Sequence, residues 1–269
     1  RTILEQLKES QWLLILNFLI MMIIFIVLVG LILYLLILKR ITFFAIKAQI
    51  IRKSNDISMR MPVTGHDELD ELATAINELL HELHNTQDRL MHDALYDSLT
   101  GLGNRTLLMD RIRYAQAVQC RDPSKKFAIF LMDLDDFKNI NDLYGHPAGD
   151  YIIRRIANRI KAGIRETDTA VRFGGDEFII IQTDLKNSSE CEIFAQRLLT
   201  SIQLPIVWQE KPLQVSVSIG IFFNNSLKTN QNPEDFIRDA DIAMYKSKQE
   251  GKNSYSVFHI NLREKITSR

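Results

Sequence analysis

Cysteine is nearly absent from this 269-residue chain, which contains only Cys120 and Cys191. The two residues form no Cys-x-x-Cys pair, which argues against a disulfide framework or a zinc site and fits a reducing, cytoplasmic compartment. The chain also lacks an excess of charge of either sign, because 33 basic residues balance 33 acidic ones. This balance does not indicate nucleic acid as a partner, so any phosphate chemistry must depend on local groups.

Charged residues are missing altogether from residues 12–38, a run of about 27 residues, whereas ~20 apolar residues suffice to span a bilayer as a helix. The run is too long for a signal-peptide core, and it is apolar on every face, unlike most buried core helices. Basic residues are denser after it than before it, which places the C-terminal bulk in the cytoplasm. We therefore predict an extracytoplasmic stub over 1–11 and a transmembrane helix over 12–38.

A heptad pattern of apolar residues follows a break at about 62–65. Alternating steps of three and four residues predict a helix with a coiled-coil seam. The seam consists of Leu69, Leu72, Ile76, Leu79, Leu83 and Leu90, with Thr86 at its one polar position. The helix could pack on its own domain, or it could join two chains as a parallel coiled coil, and the pattern leaves both readings open.

The start of this helix, Asp67-Glu68-Leu-Asp-Glu-Leu-Ala73, resembles the second helix of a HAMP linker. The first helix, at about 40–53, lacks the proline that HAMP linkers usually carry near its start. The resemblance implies a HAMP-like linker and signalling helix over residues 39–92. A plain signalling helix is the alternative.

From about residue 93, strand-like and helix-like segments interleave. Apolar, β-rich runs predict strands at 127–133 and 215–223, and helical spacing predicts helices at 148–164 and 233–250. Residues 171–172 and 178–182 flank a Gly-Gly turn. Two strands joined by a tight turn are antiparallel, so we predict an α+β domain with an at least partly antiparallel sheet.

Two groups of carboxylates occupy positions suited to a cation. Asp133 stands where an apolar strand ends, and Asp176 and Glu177 follow the turn glycines Gly174 and Gly175. Glycine permits the dihedral angles of a tight turn and lets backbone approach a phosphate. Magnesium is usually held by one or two protein carboxylates together with substrate phosphates. If the turn lies beside the strand, Asp133 and Asp176 flank one metal in a nucleotidyl-transfer site.

Four separated blocks carry a family resemblance: Asp-Ser-Leu-Thr-Gly-Leu-Gly-Asn-Arg at 97–105, the segment 133–150, Gly-Gly-Asp-Glu-Phe at 174–178, and 241–248 followed by Gly-Lys-Asn. Over 93–260 the chain resembles the GGDEF family of diguanylate cyclases. The resemblance implies a fold like the nucleotidyl-cyclase and polymerase palm, with a central, mostly antiparallel sheet flanked by helices. It also implies condensation of two GTP molecules into cyclic di-GMP with release of pyrophosphate.

The resemblance assigns roles to individual positions. It implies that Mg²⁺, or alternatively Mn²⁺, is held by Asp133, the backbone carbonyl of Leu134, and Asp176. It implies catalytic roles for Asp176, Lys138 and Glu177. The implied substrate-binding residues are Asn141, His146, Asp150, Arg172, Gly174, Gly175, Lys248 and Lys252. Among them Asn141 and Asp150 match guanine-reading positions, where a carboxylate can accept from the N1 and N2 donors of guanine.

Arg165 and Asp168 match the family's inhibitory product-binding site. A guanidinium suits the acceptor edge of guanine or a phosphate, and a carboxylate suits its donor edge. An Arg-x-x-Asp pair at a helix end is otherwise a local salt bridge or cap.

The chemistry requires two GTP molecules to face each other, so the resemblance implies a homodimer whose arrangement the linker controls. The expected location is a bacterial inner membrane, in contact with lipid, with the catalytic domain in the cytoplasm. The tail at 261–269 resembles the segment by which many such cyclases continue into an EAL-type phosphodiesterase domain. Two other functions are considered: a catalytically silent receptor for GTP or cyclic di-GMP that regulates an attached phosphodiesterase, and a purely structural dimerisation module.

Overall fold

The computed structural model describes residues 3–54, 56, 58–63, 65, 68–225 and 232–262, with side chains from residue 11 onward. The chain divides into two compact units, Arg1–Arg89 and Leu90–Arg269. The predicted tail at 261–269 lies outside the described residues beyond residue 262.

The first unit begins with a long helix made of three consecutive segments: α1 (Ile3–Leu33), a π-helical turn (Tyr34–Leu38) and α2 (Lys39–Ser54). Within the described part of the chain, one helical stretch, Gln11–Ser54, has the length and composition needed to cross a membrane. None of its most apolar window is buried among the described residues. This exposure fits the predicted transmembrane helix over 12–38 and not the alternative of a buried core helix.

Helix α3 (Glu68–Leu95) packs against α2 and the segment between them through a small core. Phe44, Met61 and Ala73 are buried in this core. The amide of Asn77 fixes the connecting segment, since it accepts from the backbone N–H of Met61 at 2.7 Å and donates to the carbonyl of the same residue at 2.9 Å. Polar contacts therefore supplement a core too small to hold two helices by itself.

The second unit contains a five-stranded sheet with the strand order β2-β3-β1-β6-β7. Its strands are β1 (Lys126–Leu134), β2 (Thr169–Gly174), β3 (Glu177–Leu185), β6 (Val217–Asn224) and β7 (Tyr255–Val257). All neighbouring pairs are antiparallel except β6 and β7, which are parallel. A separate hairpin joins β4 (Ile206–Trp208) to β5 (Lys211–Leu213). The predicted, mostly antiparallel sheet is thus confirmed.

Five helices cover the two faces of this sheet: α4 (Arg105–Arg121), α5 (Phe137–Tyr144), α6 (His146–Gly163), α7 (Ser188–Ile202) and α8 (Pro233–Gln249). The central strand β1 alternates between the two resulting cores. Phe130 packs with residues of α6 and α7, whereas Ile129 packs with residues of α4 and α8. Because both faces are buried, β1 reads in the sequence as a continuous apolar run.

Candidate active site

The predicted acidic residues meet at one end of the sheet. Asp133 lies at the end of β1, paired in register with Glu177 of β3 on one side and Ser218 of β6 on the other. The backbone N–H of Leu134 donates to the carbonyl of Asp176, with an N···O distance of 3.4 Å. The antiparallel β2–β3 hairpin thus brings its turn to the end of the central strand, as the sequence predicts.

The carboxylates at this edge are held close to one another. Burial raises the pKa of Asp133, and the like charges of Asp176 and Asp135 add to the rise. Burial also raises the pKa of Glu177, and Asp133 and Asp176 reinforce it. Lys248 opposes both shifts, since its ammonium lies 2.7 Å from Asp133 Oδ1. A positive charge therefore already stands where the sequence predicts a cation.

Asp241 is a member of this cluster to which the sequence analysis gave no role. Burial raises the pKa of its carboxyl group, Lys248 opposes the rise, and Asp241 in turn raises the pKa of Glu177. Asp241 and Lys248 are seven residues apart on α8, and this spacing places them on one face of the helix. That spacing was the signal in the sequence that could have identified Asp241.

The donor set at this edge fits a hard cation that also binds substrate. Asp133 carries a carboxylate at the end of β1, Asp176 carries a second one in the adjoining turn, and the carbonyl of Leu134 lies at the same strand end. In the described part of the chain, no three His, Cys, Asp or Glu side chains form a complete metal-binding cluster. Magnesium typically uses one or two carboxylates and completes its shell with water and phosphate oxygens.

Arg172, which the resemblance places among the substrate-binding residues, bonds the turn between β2 and β3. Its Nε and Nη2 donate to the carbonyl of Gly175 at 3.0 and 2.8 Å, and its Nη1 lies 3.2 Å from Asp97 Oδ2. Burial acts to raise the pKa of Asp97, but Thr100 and Arg172 lower it overall. Gly175 has a φ of 51°, which glycine adopts without strain. Arg172 therefore clamps the turn that carries Asp176.

The four predicted residues of the substrate segment lie on the consecutive helices α5 and α6. Lys138, His146 and Asp150 are exposed, and Asn141 is half-buried. A Cβ atom at position 149 would collide with Asn141 Oδ1, so the glycine there allows α6 to pass close to the amide of Asn141. The two helices thus present one amide, one carboxylate and two basic side chains from neighbouring turns.

Lys252 stands in the turn between α8 and β7. Its Nζ lies 2.8 Å from both oxygens of Asp136, and the hydrogen bond to this carboxylate raises the pKa of Lys252. Lys248 is therefore paired with a carboxylate near the end of β1, and Lys252 with one just after the strand.

The two residues of the predicted product-binding pair, Arg165 and Asp168, differ in their exposure to solvent. Arg165 is exposed and lines a groove of about 310 Å³ together with Tyr114, Lys125, Lys126 and Thr167. Asp168 is only 7% exposed, and its Oδ2 accepts from the backbone N–H of Arg165 at 3.1 Å and from Gln182 Nε2 at 3.0 Å. Its Oδ1 has no hydrogen-bond partner among the described residues. The guanidinium thus faces the groove, whereas the carboxylate points into the domain.

Comparison with known families matches both units of the chain. Residues 94–254 match the family described as "Diguanylate cyclase, GGDEF domain", and residues 36–85 match the HAMP domain.

Individual relatives agree with these families. The chain is 34% identical over 225 residues to diguanylate cyclase TpbB of Pseudomonas aeruginosa UCBPP-PA14, which covers 80% of this chain and 50% of the relative. It is 34% identical over 194 residues to the cyclic di-GMP phosphodiesterase NbdA of P. aeruginosa PAO1, which covers 71% of this chain and 24% of the relative. The chain thus spans half or less of these two relatives.

A solved structure of the isolated GGDEF domain of TpbB from P. aeruginosa PAO1 has the same fold. Its TM-score is 0.59 at 32% identity, and the match covers 64% of this chain and 99% of that one.

Proposed function

The chain belongs to the GGDEF-domain family of diguanylate cyclases, and we propose from this membership that it condenses two GTP molecules into cyclic di-GMP with release of pyrophosphate. The observation that carries the proposal is the edge of the sheet where the ammonium of Lys248 pairs with Asp133 and opposes the charge of Glu177, beside the turn that carries Asp176. Carboxylates with raised pKa values beside an ammonium, in a partly buried site, are typical of functional sites, and this arrangement suits the transfer of a nucleotidyl group.

In this proposal Asp133, Asp176 and the carbonyl of Leu134 hold Mg²⁺, with Mn²⁺ as the alternative. When bound, the cation polarises phosphoryl oxygens and offsets the negative charge that develops on them. Lys248 and Lys252 then exchange their carboxylate partners for phosphate oxygens, since both already lie at this edge.

Other residues at this edge have separate tasks in the proposal. Lys138, exposed at the start of α5, adds positive charge for the triphosphate. Glu177 and Asp241 hold Lys248 electrostatically near the reacting phosphate. Arg172, Gly174 and Gly175 act through the shape of the hairpin turn, which Arg172 holds by its bonds to the Gly175 carbonyl.

Base selection is assigned to the α5–α6 pair. Asn141 and Asp150 offer an amide and a carboxylate for the Watson–Crick edge of guanine, and His146 lies between them in the sequence. Adenine presents no matching pair of donors, so a site built to bond guanine leaves its own polar groups unpaired with ATP. We therefore propose GTP as the substrate in preference to ATP.

The active species is proposed to be a homodimer. In-line attack of one ribose 3′-hydroxyl on the α-phosphorus of the other GTP needs two bound nucleotides that face each other. The HAMP region and the apolar helix give the dimer its proposed setting, a bacterial inner membrane with the catalytic unit on the cytoplasmic side. The basic residues that follow the apolar run support this orientation.

Product inhibition is proposed to act through Arg165. Arg165 is exposed and lines a groove with Lys125 and Lys126. Since Lys125 pairs with Asp184 of the same groove, Arg165 and Lys126 offer the positive charge to a cyclic dinucleotide. Asp168 would act there by holding the loop through the backbone N–H of Arg165. Binding in this groove leaves the acidic edge free, so inhibition would be noncompetitive with GTP.

A silent receptor is the second candidate, because the same region is also shared with a relative named as a cyclic di-GMP phosphodiesterase. The test is incubation of the purified 269-residue chain in detergent micelles with GTP and Mg²⁺, with product analysis and with ATP as a parallel substrate. Formation of cyclic di-GMP in the reaction with GTP, and no turnover in the parallel reaction with ATP, supports the cyclase. Binding of GTP or cyclic di-GMP without turnover supports the receptor, and binding of neither contradicts both.

A further inference from the structure

Three aspartates lie at the end of the central strand or directly after it, and each has a different environment. Asp133 is partly buried and pairs with Lys248, and Asp136 is exposed and pairs with Lys252. Asp135 is only 7% exposed, although it lies between these two. A buried carboxylate requires compensation, so its partners indicate what it does.

The carboxylate of Asp135 accepts hydrogen bonds from three directions. Ser218 Oγ donates to Oδ1 at 2.7 Å, Ser216 Oγ donates to Oδ2 at 2.7 Å, and the backbone N–H of Asn253 donates to Oδ2 at 3.1 Å. The backbone N–H of Asp135 also donates to the carbonyl of Ser216 at 3.0 Å. This Asp135 network joins the end of β1, the start of β6 and the turn between α8 and β7.

The turn that Asp135 holds has an unfavourable backbone. Gly251, Lys252 and Asn253 have φ values of 119°, 62° and 49°. Only glycine adopts such angles freely, so two consecutive non-glycine residues need support from their surroundings. The bond from the Asn253 N–H to a charged acceptor is stronger than one to a neutral acceptor, and it supplies that support.

We propose that Asp135 is a positioning residue and not a metal ligand: through Asn253 it holds the 250–254 turn in place, and thereby sets where the ammonium of Lys252 meets the triphosphate. The role of Lys252 toward the triphosphate rests on the proposed function, which gives Lys252 its phosphate. The hold of Asp135 on the turn is a property of the folded chain alone.

Two substitutions separate positioning from metal binding. In Asp135→Asn, the amide oxygen can replace Oδ2 as acceptor for Ser216 and Asn253, and the amide nitrogen can donate to the Ser218 hydroxyl, which also accepts. The network therefore survives the loss of charge. In Asp135→Ala every bond to the side chain is lost, including the one from Asn253, and only the backbone bond to Ser216 remains.

Hydrogen exchange tests whether Asp135 holds the turn, without any nucleotide or metal, using the whole chain in detergent micelles. Asp135→Ala should accelerate amide exchange at residues 250–255 at least about tenfold, and Asp135→Asn should stay within about threefold of the wild type. Ser216→Ala is the matched control, since it removes one donor but keeps the bond to Asn253. Unchanged protection of the turn in Asp135→Ala would overturn the proposal.

A GTP analogue with a methylene group between the α- and β-phosphorus tests whether Asp135 positions Lys252 for the triphosphate. The measurement is the affinity of each variant for this analogue. Asp135→Ala should weaken binding at least tenfold, or about 1.4 kcal/mol, and should have little further effect in a Lys252→Met background. Asp135→Asn should bind the analogue and turn over GTP within about threefold of the wild type.

Two results would contradict the claim that Asp135 acts by positioning Lys252. Loss of turnover in Asp135→Asn as complete as in Asp133→Asn would make the charge itself essential, as for a metal ligand. An equal loss of affinity in the Lys252→Met background would separate Asp135 from Lys252. If the wild type neither binds the analogue nor forms product, the proposed function fails, while hydrogen exchange still decides whether Asp135 holds the turn.

Discussion

The carboxylates of Asp133, Glu177 and Asp241 share the ammonium of Lys248. Each has a raised pKa, because burial penalises its ionised form in the folded chain, and neighbouring carboxylates add to the rise at Asp133 and Glu177. Such a cluster lowers the stability of the protein at neutral pH and favours whatever brings positive charge to it. The residues that suit catalysis are therefore expected to be those that the fold tolerates least.

The metal site gives a first prediction at this scale. Asp133→Asn or Asp176→Asn should abolish formation of cyclic di-GMP, because each removes a carboxylate from the proposed cation. The unfolding temperature should fall by no more than about 3 °C, since neither change opens a cavity. Asp122→Asn, at an exposed carboxylate of the loop before β1, is the control. Near wild-type turnover at saturating Mg²⁺ in either variant would disprove the proposed site.

Glu177 gives a prediction about pH. Its raised pKa means that the folded state holds a proton that the unfolded state has released, between the unfolded and the folded pKa. Stability should therefore decrease as the pH rises through the folded pKa. Glu177→Gln should raise the Mg²⁺-free unfolding temperature at neutral pH by about 1–3 °C, allowing for solvent screening.

The advantage of Glu177→Gln should shrink as the pH falls through the folded pKa, because the wild-type carboxyl then becomes neutral as well. Thermal unfolding of both proteins between about pH 4 and about pH 8 measures this difference, because the range begins near the ordinary pKa of a glutamate and extends well above it. Glu166→Gln, at an exposed loop position, serves as the control. A constant difference across that range would show that repulsion at Glu177 is not its source.

Arg165 gives the last prediction for a single residue. Arg165→Ala should raise the cyclic di-GMP concentration needed for half-inhibition at least tenfold, about 1.4 kcal/mol, and leave initial rates similar. Progress curves and equilibrium binding of cyclic di-GMP measure these effects. Arg197→Ala, in a separate groove beside α7, controls for the loss of an arginine. Equal inhibition of the wild type and Arg165→Ala would make Arg165 a structural residue only.

At the scale of elements, the approach of α8 to β6 decides where Lys248 stands. A Cβ atom at Gly220 would collide with the carbonyl of Ala240 and the backbone N–H of Met244. These are helix backbone atoms, which cannot turn aside as a flexible side chain can. The missing side chain at position 220 thus lets α8 lie directly on the sheet, with Lys248 beside Asp133.

Gly220→Ala should therefore displace α8, lower stability by about 1–3 kcal/mol, and reduce turnover by loosening the Lys248–Asp133 pair. Gly163→Ala is the control, since a Cβ there meets Leu198 at an ordinary 3.8 Å. Thermal unfolding and initial rates measure both effects. An unfolding temperature and a rate equal to those of Gly163→Ala would show that α8 has room to spare.

At the scale of the whole molecule, the seam of α3 divides into two sets of residues. Leu69 and Ile76 pack partly against the small core of Phe44, Met61 and Ala73. Leu72, Leu79, Leu83 and Leu90 are more than half exposed. Both readings of the heptad pattern therefore retain support, and the exposed set is the part available to a second chain.

The double variant Leu79→Glu/Leu83→Glu should weaken the proposed dimer and lower turnover per chain in parallel, because charge in a coiled-coil seam is unfavourable unless paired. Leu204→Glu, at an exposed leucine outside the seam, is the control. Sedimentation and specific activity across a dilution series in detergent measure the two effects. Activity independent of dilution in the wild type, with a monomeric mass, would exclude the dimer.

The sequence by itself predicted strands β1, β2, β3 and β6 and helices α6 and α8 of the second unit. The strand predicted at 127–133 is found at Lys126–Leu134, and the helix predicted at 233–250 is found at Pro233–Gln249. These elements follow from periodicity, which is a local property of the chain. The antiparallel pairing of β2 with β3 follows too, since a tight turn enforces it, whereas the place of this hairpin beside the end of β1 comes from the tertiary structure.

Only the tertiary structure decided how individual polar side chains are used. Arg172 clamps the turn, Asp168 faces inward, Asp135 holds a distant turn, and Asp241 joins the acidic cluster. For Arg172, Asp168 and Asp135, nothing in the local pattern distinguishes these residues from exposed ones of the same type. Some of their partners lie far away in the sequence, as Asn253 does for Asp135 and Asp97 does for Arg172. A polar group removed from water must be satisfied where the fold places it.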